Sequence, residues 1–107
     1  ERALRRIGSC DSCFDLDLSN KGVTVIKGAF DGMQQLQTLD LSFNEMRKLR
    51  RKFFRDLQNL TFLNLKGNRL ADIDELERRT RRGPAPPATA FKDLDSLDVL
   101  ILSEQRP

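Results

Sequence analysis

Four groups of residues have types and spacings that could do chemistry. Cys10 and Cys13 form a Cys-x-x-Cys pair, the arrangement of a dithiol redox centre or of half a zinc site. Asp15, Asp17 and Asp40 supply three carboxylates that could face a cation. Asn59-Leu60-Thr61 has the form of an N-glycosylation acceptor. Two basic blocks, Arg47, Lys48, Arg50, Arg51, Lys52 and Arg55, then Arg78, Arg79, Arg81 and Arg82, could hold phosphate or an acidic protein surface.

Most of this chemistry lacks a necessary companion. The chain contains no histidine, which removes Ser-His and Cys-His nucleophiles and imidazole metal ligands together. Structural zinc takes about four ligands, and two cysteines cannot supply them. As a redox motif the pair lacks the expected passage from strand to helix. Calcium takes about six to eight oxygens, so three Asp need backbone help. The first basic block is interleaved only with Phe53 and Phe54, too few rings for a base-stacking platform. It reads as a solvated face, with phosphate binding as the lesser alternative. No acid–base or nucleophile set remains. The expectation is a protein that is not an enzyme, with no cofactor, no metal and no small-molecule substrate.

The chain has 107 residues, a net charge of +3, 38% hydrophobic and 33% charged residues. It is long enough for one modest core. No run approaches the roughly 20 apolar residues of a membrane helix. The sequence opens on Glu1 in a charged segment without a visible signal peptide, and is read as a processed or trimmed product.

The elements that must position these groups come from an internal repeat. Leu36, Leu39, Leu41, Asn44, Met46 and Leu49 coincide with Leu60, Leu63, Leu65, Asn68, Leu70 and Ile73, each pair 24 residues apart. The pattern LxxLxLxxNxLxxL runs on through Phe54 and Leu57. Cys13, Leu16, Leu18, Val23, Ile26, Phe30 and Met33 outline an earlier unit, with Lys21 where the Asn belongs and Asn20 one place early. Leu97, Leu100 and Leu102 open a fourth. From Phe54 to Phe91 is 37 residues, 13 more than the period, which places an Arg- and Pro-rich insertion within 74–90. The LxL stretches alternate with period two and predict short strands with leucines inward. Asn44 and Asn68 are expected to bond backbone groups at successive turns, and Phe30, Phe54 and Phe91 to fill the core.

These residues resemble the leucine-rich-repeat family over roughly residues 13 to 102. The resemblance implies an α/β fold: a right-handed solenoid with a short parallel sheet on its concave face, here about three repeats plus a terminal strand. Residues 1–12 are read as an N-terminal flank and 13–107 as the repeat domain, with units starting near 13, 36, 60 and 97. Cys10 and Cys13 are similar to the cysteine-bearing flank of extracellular members, which implies a possible local disulfide. Such flanks usually carry more cysteines, and Cys13 occupies a repeat leucine position, so a free, buried thiol is the other reading.

Family members commonly receive protein partners on the concave sheet. The outward positions there are Asp15 and Asp17, Thr38 and Asp40, Phe62 and Asn64, then Val99 and Ile101, extended by Ser19, Ser42, Lys66 and Ser103. The face starts acidic and ends apolar, and the apolar end marks an interaction site. No capping sequence is visible after Leu102, so the final strand is an expected contact for a partner or for further repeats. The leading expectation is a protein-recognition module of an extracellular receptor or secreted protein, glycosylated at Asn59. The alternative is an intracellular scaffold subunit of a protein or ribonucleoprotein assembly, docking through Arg78, Arg79, Arg81 and Arg82.

Overall fold

The computed structural model describes the backbone of residues 3–5, residues 14–70, residue 91 and residues 93–107. Six short strands are present: β1 (Ala3–Arg5), β2 (Asp15–Asp17), β3 (Val25–Lys27), β4 (Thr38–Asp40), β5 (Phe62–Asn64) and β6 (Val99–Ile101). Arg51–Phe53 forms a single 3₁₀ turn, and the described residues contain no α-helix. Cys10, Cys13, Arg78, Arg79, Arg81, Arg82 and the 74–90 insertion lie outside the described residues.

β2, β4, β5 and β6 form one parallel sheet in that order. Leu16 pairs with Leu39, Leu39 with Leu63, and Leu63 with Leu100, so each LxL motif stacks in register on the next. A slip of one residue would exchange the leucines for their polar neighbours. Leu39 and Leu63 are fully buried, and Leu36, Leu41, Leu60 and Leu65 join them. Each such side chain contributes about 1.5–3 kcal/mol through burial. Behind the sheet, Phe30 and Phe54 stack with ring centroids 6.5 Å apart. Leu94 is buried, while Phe91, expected inside, is only partly covered.

β3 was not evident from the repeat. Its β-branched run Val23-Thr-Val-Ile suits a pleated, half-buried surface. It pairs in parallel with β1, Leu4 opposite Ile26, in a separate two-stranded sheet. The N-terminal flank thus adds backbone hydrogen bonds to the first unit.

A ladder of side-chain amides ties the turns together. Asn44 Nδ2 donates to Leu18 O and Leu41 O, and its Oδ1 accepts from Lys21 N and Val23 N, all at 2.9–3.0 Å. Asn68 Nδ2 donates to Leu41 O and Leu65 O, and its Oδ1 accepts from Met46 N. A fourth rung, not read from the sequence, extends the ladder. Gln105 stands at the Asn position of its unit; its Nε2 donates to Leu65 O (2.8 Å) and Leu102 O (3.1 Å), and its Oε1 accepts from Leu70 N (2.9 Å). Arg106 follows, with its N–H donating to Asn68 O and its Nε to Gly67 O.

The irregularity of the first unit has a conformational cause. The residue before each rung position is left-handed: Asn20 (φ 56°), Phe43 (56°), Gly67 (71°) and Glu104 (57°). Asn tolerates that region best among residues with a β-carbon. Asn20 therefore serves the turn's backbone, and Asn44 of the next unit satisfies the amide of Lys21.

Candidate functional site

The outer side of the four-stranded sheet carries the side chains expected to meet a partner. The alternation is clear on the two inner strands: Leu39 and Leu63 are buried, while Thr38, Asp40, Phe62 and Asn64 are half-exposed. Asp15 and Asp17 are exposed around half-buried Leu16. On β6 Val99 is exposed and Leu100 and Ile101 are half-buried, because β6 is the edge strand of the sheet.

Register then fixes neighbours. Asp15, Thr38, Phe62 and Val99 lie in one row across the strands, and Asp17, Asp40, Asn64 and Ile101 in the next. Phe62 beside Val99, with Ile101 two residues along, forms an apolar end. Asp15, Asp17 and Asp40 form an acidic end. Lys66, half-buried, lies 3.6 Å from Glu104 across the following turn.

Part of the polar pattern proves to be architectural. Asp17 Oδ1 accepts from the backbone and hydroxyl of Ser19, Asp40 Oδ1 from Ser42 N, and Asn64 Oδ1 from Lys66 N. These are Asx turns, which close each strand end. The Ser19 amide and hydroxyl, with Lys21 nearby, hold the Asp17 carboxyl below its ordinary value. Asp15 Oδ1 accepts from Thr38 Oγ1 at 2.6 Å, linking the first two units across the sheet surface. Ser42, expected to extend the outer surface, is buried instead, because its backbone sits between the Asp40 turn and the Asn44 rung. Among the described residues, no group of three or more acidic, His or Cys side chains is arranged to hold a metal ion.

Asn59 is exposed, and its Nδ2 donates to Gln34 O of the preceding unit at 2.7 Å. Thr61 Oγ1 likewise donates to Gln37 O. The acceptor tripeptide therefore also stitches adjacent units.

Two exposed rings escaped the sequence reading. Phe14 (51% exposed) precedes β2, where a repeat unit offers no reason for an aromatic. Phe43 (45% exposed) is left-handed and lies over Gly67, where an added β-carbon would sit 2.4 Å from its ring. The available signal was a bulky residue at the place where Asn20 and Gly67 stand in the neighbouring units. Beyond the turn, Glu45 joins Arg69 Nε at 2.5 Å and Arg106 Nη2 at 3.3 Å. The Arg69 hydrogen bond, reinforced by the Arg106 charge, lowers the Glu45 carboxyl below its ordinary value.

A family model described as leucine rich repeat matches residues 15–70. With more than half of its length matched, the chain belongs to the leucine-rich-repeat family. Repeats of this family are generally binding modules rather than catalysts, and protein–protein interaction is the activity they suggest. No curated protein and no solved structure matches the chain. Among the described residues, no helix is long and apolar enough to cross a membrane.

Proposed function

We propose that the stacked units form a right-handed solenoid whose outer sheet face receives a folded protein in an extracellular setting. Parallel strands joined by a crossover adopt the right hand in about 98% of cases, which supports that sense. The observation that carries the reading is the apolar end of the sheet, where Phe62 pairs directly with exposed Val99 and Ile101 continues the patch on the same strand. A partner covering these side chains would gain hydrophobic burial from a preformed surface, with little ordering cost. Asp15, Asp17 and Asp40 lie at the other end of the face, where exposed carboxylates steer and select by charge. Arg78, Arg79, Arg81 and Arg82 are proposed as an accessory contact for an acidic surface.

Site-specific photocrosslinking tests the docking face. A photoreactive side chain replacing Phe62 or Val99 should capture a defined partner, whereas one replacing Gln58 should not. Purified partner should then lose about tenfold or more in affinity for Val99→Arg, since a central charge is left desolvated. Equal affinity for that variant would overturn the assignment of the face. The extracellular setting is checked separately. It calls for a Cys10–Cys13 bond, seen as a two-dalton mass difference on reduction, and for glycan at Asn59 in secreted material.

A further inference from the structure

We propose that the surface around the segment joining β4 to β5 is a second binding site, and that its ligand is a sulfated polysaccharide. This inference does not depend on the partner reading of the sheet.

The segment is a row of exposed cations set on buried anchors. Arg47, Lys48, Arg50, Lys52 and Arg55 are exposed, whereas Met46, Phe53, Phe54 and Leu57 between and beside them are buried. The cations are thus carried on backbone already fixed by packing, so their spacing is set before an anion arrives. Among the described residues no carboxylate pairs with Arg47, Lys48, Arg50 or Lys52, and several acids hold other contacts. Asp15, Asp17 and Asp40 hold turn and strand contacts, and Glu45 holds Arg69 and Arg106. A cluster dominated by one sign attracts polyanions over a Debye length, about 8 Å at physiological salt.

The row ends at a hollow of about 200 Å³ lined by Ile26, Lys27, Gly28, Asp31, Lys52 and Arg55. Its chemistry is mixed. Lys27, Lys52 and Arg55 converge from two successive units, and the Asp31 carboxylate stands 3.8 Å from Arg55 Nη2. Gly28, at φ +72°, leaves room for that carboxylate; a β-carbon there would lie 3.1 Å from Asp31 Oδ2. Cations beside a carboxylate acceptor suit a sugar ring that bears both sulfate and hydroxyl groups. A nucleic acid would want exposed rings for its bases, but Phe53 and Phe54 are buried. An acidic peptide would bring carboxylates without the ring hydroxyls that the Asp31 carboxylate can accept from.

Binding of a fluorescent heparin-derived octasaccharide to the 107-residue chain, followed by anisotropy across a salt series, tests this. Expected are saturable binding to the parent, at least about a tenfold loss for Lys52→Ala/Arg55→Ala, and a salt slope shallower by roughly one unit per cation removed. Lys21→Ala, on the turn after β2, should bind as the parent does. Asp31→Asn should strengthen a polyglutamate of equal charge more than it strengthens the octasaccharide. Circular dichroism confirms that each variant is folded. Unchanged affinity in Lys52→Ala/Arg55→Ala overturns the proposal. So does single-stranded RNA or polyglutamate of equal charge binding the parent as tightly as the octasaccharide, which would reduce the surface to a non-selective basic patch.

Discussion

Replacing Asn44 by alanine should be among the most damaging single changes available outside the apolar core. Asn44 is fully buried and makes four hydrogen bonds of 2.9–3.0 Å to backbone groups in two units. At a net value of about 1 kcal/mol each, their loss amounts to about 4 kcal/mol. Leu41 O keeps the donation from Asn68, so the abandoned groups are Lys21 N, Val23 N and Leu18 O. A water entering the vacated space recovers some of this, but it cannot hold two units in register. Domains of this size are stable by about 5–15 kcal/mol, so the change removes a large share. Urea unfolding followed by circular dichroism gives the assay, with the midpoint falling and the slope preserved. Gln105→Ala, whose bonds are partly solvent-facing, should cost less, about 2 kcal/mol. A loss below about 1 kcal/mol for Asn44→Ala at unchanged slope would refute the idea that the amide ladder ties the units.

Gly67→Ala should destabilise by about 2 kcal/mol, because its φ of 71° and the overlying Phe43 ring both resist a β-carbon; in a Phe43→Ala background the steric part should vanish, as a double-mutant cycle in urea will reveal. Glu45 is held ionised below its usual range by Arg69 and Arg106, so its contribution is present above the unfolded glutamate value and is lost as pH falls through the lower folded value. Acid unfolding of Glu45→Gln should accordingly be less steep over that window, and an identical acid limb would exclude the role. Phe54→Ala removes a fully buried ring stacked on Phe30 and should cost about 3–5 kcal/mol by calorimetry or urea titration.

The stacking was legible in the sequence because one physical rule writes it: leucines at alternate positions, recurring from unit to unit, have only one way to share an interior. The outward row of side chains followed from the same alternation. Features that depend on backbone conformation were not legible in this way. Gln105 was overlooked because the rung was sought as asparagine, although an amide one methylene longer reaches the same carbonyls. Asn20 looked like a misplaced rung until the left-handed row explained it. Asp17, Asp40 and Asn64 were read for what they offer a partner, yet each also closes its own strand. Neither β1's pairing with β3 nor the hollow beside Lys52 could be seen, since both arise between segments with no shared pattern.

Arg106 has a consequence for how the molecule comes apart. Repeat arrays ordinarily communicate only between adjacent modules. Arg106 skips one: its Nη2 donates to Asn44 O and to Glu45, 61–62 residues earlier and two modules away. Fraying of the final module therefore strips a restraint from the second as well as from the third. Amide protons around residues 44–46 should exchange in step with those around 100–102, giving a piece of chain built as a one-dimensional stack the all-or-none behaviour of a closed one.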